Sequence, residues 1–408
     1  MVDAIIIGGG ASGLICGIEA GRRGKQCVIL EQKEKTGKKL YATGNGRCNY
    51  ANEVLTDSCY HTVNPADTGL VSQVIKENTW RELKDYFQML GLPTISKQGY
   101  LYPRSEQAAA VVHGLEQAFL AAGGRIQCGE HVTRVQWKER KNCGTVWTET
   151  QSLDGRAVVL ATGGQAAPVL GSDGSGYKLA RELGHKVTVC VPALCGLKCS
   201  EKGWGQLQGV RAKGCVELRL DRRSILADTG EIQFTTYGLS GIVVFNLSRY
   251  AALGLHKKQY VEVVCDLLEE YEEPVLIRQW EGLKKTCGYR KALDVLTGYL
   301  PEKLAGYLLR RTGISEKRNW KELSEKELRE LMQTCKRLTV PITGGNSYEQ
   351  AQVTAGGVPI HEVELQSMES RVQPGCYLIG ELLDVDGSCG GYNLMWAWET
   401  GRRAGRYL

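Results

Sequence analysis

The sequence predicts a mixed α/β fold in which both ends of the chain build one parallel-sheet domain and the middle is inserted into it. Three observations lead there. The chain opens with an apolar run, Val2 to Ile7, followed by a Gly-x-Gly-x-x-Gly turn at Gly8, Gly10 and Gly13. A glycine-to-helix junction recurs near the carboxyl end, after Gly390-Gly391. Between these ends the pattern changes, to short β-rich segments over 187–266 and to helical spacing over 271–323.

The opening unit is the most informative. Gly8 permits a sharp reversal, Gly10 lets the backbone approach a pyrophosphate, and Gly13 lets the next helix pack close to the sheet. Together with Ala11 and Ser12 they open a helix whose unpaired amides favour negative charge. Leu14, Ile15 and Ile18 give that helix an apolar stripe, and the glycines at 21 and 24 end it. The second strand, Val28 to Leu30, ends in Glu31, where a carboxylate can accept hydrogen bonds from a ribose. Strand, turn, helix, strand and acid in this order predict an adenine-dinucleotide site, and therefore a cofactor enzyme.

At 408 residues the chain exceeds the size at which single cores stop growing, so two or three domains are expected. Apolar content of 42% with 24% charged residues is that of a soluble globular protein. There is no apolar run of about eighteen residues, and the glycine turn leaves no room for a signal peptide, which places the protein in the cytoplasm and off the membrane. The fifteen cysteines are an odd number without a Cys-x-x-Cys, and the six histidines are isolated, so reduced buried thiols are expected rather than disulfides or a metal site. Net charge is only +6, and the basic pairs Arg310-Arg311 and Lys317-Arg318 are interrupted by acids, which argues against a nucleic-acid partner.

Along the chain, 36–52 is rich in glycine and amide side chains and reads as an ordered loop. Helices are expected over 73–90 and over 105–122, the second capped by Ser105. Strands are expected at 125–128, 132–137, 146–148 and 157–160. The last of these runs into a second glycine turn, Ala161-Thr162-Gly163-Gly164, at a strand end where ligands collect in open parallel sheets. Antiparallel strands at 210–213, 215–220 and 260–265 suggest a small barrel. Ser324 with Glu327 forms a capping box ahead of an apolar stripe from Leu328 to Leu338.

These segments together resemble the HI0933-like flavoproteins, a bacterial family also described as BaiN-type or aminoacetone-oxidase-like FAD-binding enzymes. The most specific match is the stretch from Gly37 to Asn49, which contains Ala42-Thr43-Gly44-Asn45-Gly46-Arg47-Cys48-Asn49. Others are Tyr102-Pro103-Arg104-Ser105, Gly230-Glu231 with Phe234-Thr235, Gly238 to Gly241, Thr354 to Val358, and Gly380 to Asn393. The resemblance implies a discontinuous Rossmann-type FAD domain of the glutathione-reductase type over 1–188 and 343–408. It implies a β-barrel-like insert over 189–270 and 326–342, and a small helical insert over 271–325.

It also implies non-covalent FAD. Gly8, Gly10, Gly13 and Glu31 would hold its ADP half, with Ala11, Ser12 and Gln32 beside them and the Val132 backbone near the adenine. Lys39, Gly44, Gly46, Arg47, Cys48 and Asn49 would line the middle and flavin end, with Ala161, Thr162 and Gly163 at the sheet edge. Gly380, Glu381 and Asp384 would flank the ribityl chain. Gly391, Tyr392, Asn393 and Leu394 would lie under the pyrimidine ring, where helix-opening amides stabilise the charge of the reduced flavin. The chain departs from the family after Phe234-Thr235 and after Ser240-Gly241, with Thr236 and Ile242 where many members have histidine and proline.

The expected activity is hydride transfer through flavin N5 to an electron-poor alkene such as an enone or a steroid-like molecule, with NAD(P)H as a transient donor, since no second Gly-x-Gly-x-x-Gly unit is present. Tyr237, Tyr392 and Cys389 are the candidate proton donors. The alternatives are an amine oxidase using oxygen and a flavoprotein acting on tRNA. Oligomeric state is not legible in the sequence.

Overall fold

Val2–Ile7 forms strand β1, and its core residues Ala4, Ile5 and Ile6 are fully buried, as a strand covered on both faces requires. The neighbouring strands are β2 (Cys27–Glu31), β3 (Arg125–Cys128), β4 (Val132–Lys138), β5 (Cys143–Thr148) and β6 (Ser152–Leu160). The computed structural model describes residues 1–408, the side chain of Asp57 excepted. Two units result: 1–191 with 348–408, and 192–347.

In the first unit β3, β2, β1 and β6 are parallel in that order. The long β6 serves two sets of partners on its far side. Its first half pairs antiparallel with β5, which continues to β4, and its second half pairs parallel with Cys376–Leu378. The carboxyl-terminal segment thus enters the same sheet as the amino terminus. Both β5 and β6 start earlier than the sequence suggests, because their hairpin carries polar and glycine residues that show no apolar period.

Helix α1 (Ala11–Gly21) meets the carboxyl-terminal helix Tyr392–Tyr407 at backbone distance. A Cβ on Gly401 would stand 2.5 Å from the Ser12 carbonyl oxygen, and one on Gly405 would stand 2.4 Å from that of Cys16. At the far end of this contact Arg22, Arg23 and Arg406 all reach the Glu19 carboxylate.

Two helix boundaries differ from expectation. Helix α2 is Ala108–Ala121, with Gln107 rather than Ser105 at its cap. Glu106 donates to the Pro103 carbonyl and takes φ 51°, so a turn occupies the position where Ser105 was expected to cap. The helix expected over 73–90 is confined to Thr79–Met89, preceded by a separate turn at Thr68–Val71.

The second unit is a closed six-stranded barrel. Its order is Leu197–Cys199, Gly238–Ser240, Arg223–Phe234, Arg211–Leu220, Val261–Asp266 and Leu338–Gly345, the last closing on the first. The strand 223–234 has no counterpart in the sequence reading because polar residues and Gly230 interrupt any apolar period along it. It forms through a two-residue turn in which Asp221 (φ 49°) and Arg222 (φ 66°) are both left-handed, the turn that suits strand twist. Helices from Glu273–Thr286 to Glu325–Lys336 share one continuous core with the barrel, including Trp280, Trp320, Leu304, Val216 and Phe234. The Ser324–Glu327 capping box is present as expected. No helix among the described residues is long and apolar enough to cross a membrane.

Candidate functional site

Register places the expected cofactor residues at one edge. Leu30, Ile7, Leu160 and Leu378 stand in one row across β2, β1, β6 and the parallel strand 376–378. The residues that follow them are Glu31, Gly8, Ala161 and Ile379-Gly380, so four candidate segments open together at the carboxyl edge of the sheet. That edge is where open α/β sheets take ligands.

At its centre the glycines divide into two kinds. A Cβ on Gly8 would lie 2.4 Å from the Ala161 carbonyl oxygen, and one on Gly13 would lie 2.1 Å from that of Gly8, so both are required by the fold. Gly10 is different. It has φ −85°, which any residue adopts, and a Cβ there would meet nothing within 4 Å. It also caps α1 without any side-chain partner, leaving the first amides of the helix to face outward.

Glu31 is 9% exposed and accepts from the Gly9 amide at 2.8 Å and the Lys33 amide at 2.9 Å. Burial pushes its carboxyl above the usual glutamate range, against the pull of those amides. The unfolded chain therefore gives up its proton first, and Glu31 contributes stability below pH 4.5 that is lost as pH rises through the raised folded value. Glu31→Gln should remove that loss and leave the apoprotein at least as stable at neutral pH, while weakening dinucleotide affinity about 10-fold. Apoprotein melts from pH 4 to 8 and a ligand titration check both arms.

Beside this turn, Lys39 Nζ lies 2.7 Å from Glu381 Oε2, and Glu381 Oε1 accepts from the Thr354 amide at 2.9 Å. Two of the four lone-pair positions of Glu381 remain for a ligand hydroxyl. Asp384 is fully buried and accepts from the Val63 and Asn64 amides, so its carboxylate holds that loop. Gln32 bridges the Gly171 carbonyl and His131, next to the Val132 end of β4.

The Gly44–Asn49 loop is a run of unusual backbone. Gly44, Asn45, Gly46 and Cys48 all have positive φ, and non-glycine residues hold such angles where the surroundings impose them. Cys48 is fully buried and its thiol is pushed up to about 12 by that burial, so it is neutral at physiological pH. Arg47 is exposed, donates to the Gly44 carbonyl and lies over the Tyr102 ring.

This loop runs directly into the opening of the carboxyl-terminal helix. A Cβ on Gly391 would stand 2.9 Å from Asn49 Oδ1, which is buried and has no hydrogen-bond partner. Gly391 takes φ 97° and supplies no side-chain cap, so the amides of Tyr392, Asn393 and Leu394 begin the helix uncovered. Asn393 is committed on both ends of its amide to Gly387.

The three proton-donor candidates have different surroundings. Tyr392 donates to the Val54 carbonyl at 2.7 Å, and its own carbonyl accepts from Tyr60, which makes it an anchor of the helix opening. Burial raises its hydroxyl pKa and that of the Cys389 thiol, so both are poor acids. Tyr237 belongs to the barrel unit, in the connection between strands 223–234 and 238–240. Thr354, Tyr60 and Asn52 were not singled out from the sequence as site residues. Their roles depend on contacts across more than three hundred positions of chain for Tyr60 and Asn52, a separation that no local pattern signals.

The donor set fits a dinucleotide: uncovered helix-opening amides at two places, an open approach at Gly10, a buried carboxylate for a ribose and an orphaned acceptor at Asn49. The fold and this edge define a Rossmann-type dinucleotide-binding protein. Residues 2–407 match the family described as HI0933-like protein Rossmann domain, and the chain belongs to that family.

It is 42% identical to a 3-dehydro-bile acid delta(4,6)-reductase of Clostridium scindens, over 98% of this chain and 97% of that one. It is 28% identical to a ribosomal RNA dihydrouridine synthase of Escherichia coli, over 98% and 96%. A 3-ketosteroid-delta4-(5alpha)-dehydrogenase of Rhodococcus jostii RHA1 has the same fold, with TM-score 0.51 at 13% identity over 99% of this chain and 96% of that one. The chain is an FAD-dependent oxidoreductase.

Proposed function

We propose that this protein reduces a carbon–carbon double bond conjugated to a carbonyl in a steroid-like small molecule, with NAD(P)H as the transient electron donor. The observation that carries this reading is 42% identity, across nearly the whole of both chains, to a reductase named for a dehydro-bile acid. Dihydrouridine differs from uridine by two hydrogens across a carbonyl-conjugated double bond, so the more distant relatives are named for the same bond change on another molecule.

FAD, when bound, supplies a carrier that takes up and delivers hydride. The chain's part is to hold and to exclude. The opening amides of α1 and the space over Gly10 are assigned to the pyrophosphate, and Glu31 to the ribose hydroxyls. Asn49 and the amides at 392–394 are assigned to the polar edge of the flavin, and Glu381 with Lys39 to the chain between. Holding a negative edge against a helix amino terminus is worth about 0.3 to 2 kcal/mol and raises the tendency to accept electrons.

Reduction of a conjugated alkene needs a proton as well as a hydride. Tyr237 is the donor we assign, because Tyr392 is tied to Val54 and burial makes the Cys389 thiol a poor acid. Tyr237→Phe should lower turnover about 100-fold while leaving FAD content and reduction by nicotinamide unchanged, measured as separate half-reactions.

Anaerobic stopped-flow tests the whole reading. NADH or NADPH should bleach the flavin, and an enone steroid should restore its colour. Bleaching by an amine with none by nicotinamide would overturn it in favour of an amine oxidase. A ribosomal RNA substrate is the second reading, favoured by the two dihydrouridine synthases. Against it, the basic cluster is neutralised internally, Arg310 by Glu316, Arg311 by Glu201 and Arg318 by Glu327. Ribosomal RNA fragments should therefore give no salt-sensitive mobility shift.

A further inference from the structure

We infer that Thr354 is a positioning residue of the cofactor site, clamping the glycine turn after β6 to the carboxylate of Glu381. Thr354 is 1% exposed. Its Oγ1 accepts from the Gln165 amide at 2.8 Å and the Ala166 amide at 3.1 Å, and its own amide donates to Glu381 Oε1 at 2.9 Å. Glu381 Oε2 in turn holds Lys39 at 2.7 Å. One residue therefore joins the turn that follows β6, the segment that follows 376–378, and the short helix that carries Lys39.

The turn is shaped for this clamp. A Cβ on Gly164 would lie 2.5 Å from Thr354 Oγ1 and 3.0 Å from Glu381 Oε1, so the backbone of Gly164 approaches both groups as closely as only glycine allows. Two amides depend on a single hydroxyl oxygen, and they belong to the sheet edge where Gly8, Ala161 and Gly380 converge. Removing that oxygen frees the turn and loosens the Thr354 segment that holds Glu381 Oε1. Thr354 itself need not touch the ligand. It fixes the group that does.

This rests on the reading that the edge holds FAD. The test titrates FAD into deflavinated full-length protein, following fluorescence quenching, for Thr354→Val, Thr354→Ser and each in a Glu381→Ala background. Thr354→Val keeps the shape but loses the acceptor, and should weaken FAD about 10- to 100-fold. Thr354→Ser keeps the acceptor and should stay within about 3-fold. In the Glu381→Ala background the Thr354→Val effect should shrink severalfold, because the group acted upon is gone. Hydrogen exchange at the Gln165 and Ala166 amides should quicken in Thr354→Val and not in Thr354→Ser.

Wild-type affinity in Thr354→Val would overturn the inference. So would equal losses in the serine and valine variants, which would assign the effect to methyl packing. A Thr354→Val penalty undiminished without Glu381 would also overturn it, as independent structural damage. If Thr354→Val melts below the assay temperature, exchange at the two amides in Thr354→Ser, with that variant's FAD affinity, decides: protection with near-wild-type affinity supports the clamp, and its loss refutes it. Wild-type protein that takes up no FAD would instead sink the underlying reading.

Discussion

Gly10→Val is expected to abolish FAD retention and leave the apoprotein's melting temperature unchanged. The residue adopts φ −85°, so valine imposes no backbone strain, and a Cβ there meets no protein atom within 4 Å. The branched side chain would stand over the opening amides of α1, where a pyrophosphate has to approach to be held. Losing that contact should weaken FAD at least about 10³-fold, roughly 4 kcal/mol. The purified variant should be colourless, with an unaltered far-ultraviolet spectrum and melt. A variant that purifies yellow at full occupancy would remove the turn from the site.

Gly401→Val should do the opposite, damaging the fold before it damages the site. Its Cβ would press to 2.5 Å from the Ser12 carbonyl oxygen, a backbone atom that cannot rotate away. Forcing the carboxyl-terminal helix off α1 opens the joint between the two chain ends, at a cost of about 3 kcal/mol. Apoprotein melting should fall by roughly 5 to 10 °C. FAD added in excess should recover part of this, since it binds only the closed form. An unchanged melt would mean that the helices separate more freely than their spacing indicates.

The two glycines show what the sequence reveals and what it conceals. Gly10 is legible because it sits in a local signature, strand, turn and helix in direct succession between Val2 and Gly21. Gly401 lies in a helix whose sequence says only that it is a helix. Its need for a missing side chain arises from Ser12, nearly the whole chain away. The same contrast runs through the site. Glu31, Lys39 and Glu381 stand in recognisable stretches, whereas the hydroxyl that binds the turn after β6 came into view only once the strands were in register.

The barrel repeats the lesson. Its strand 211–220 alternates buried and exposed residues and is readable, although as two pieces. The partner strand 223–234 is polar, carries Gly230 and owes its existence to the left-handed pair Asp221-Arg222, which no apolar period announces. The glycine junctions at both termini, which also argue for the fold class, needed no periodicity at all. They survive because backbone geometry, not side-chain burial, selects those residues.

The pairing of α1 with the last 16-residue helix sets an order on synthesis. While the ribosome is still translating, the first 191 residues wait without the partner that covers α1, and residues 192–347 emerge whole before it arrives. The barrel can therefore finish first, and the amino-terminal sheet last. Until that helix has emerged, the nascent chain carries an unfinished cradle, and capture of the yellow cofactor has to follow its arrival.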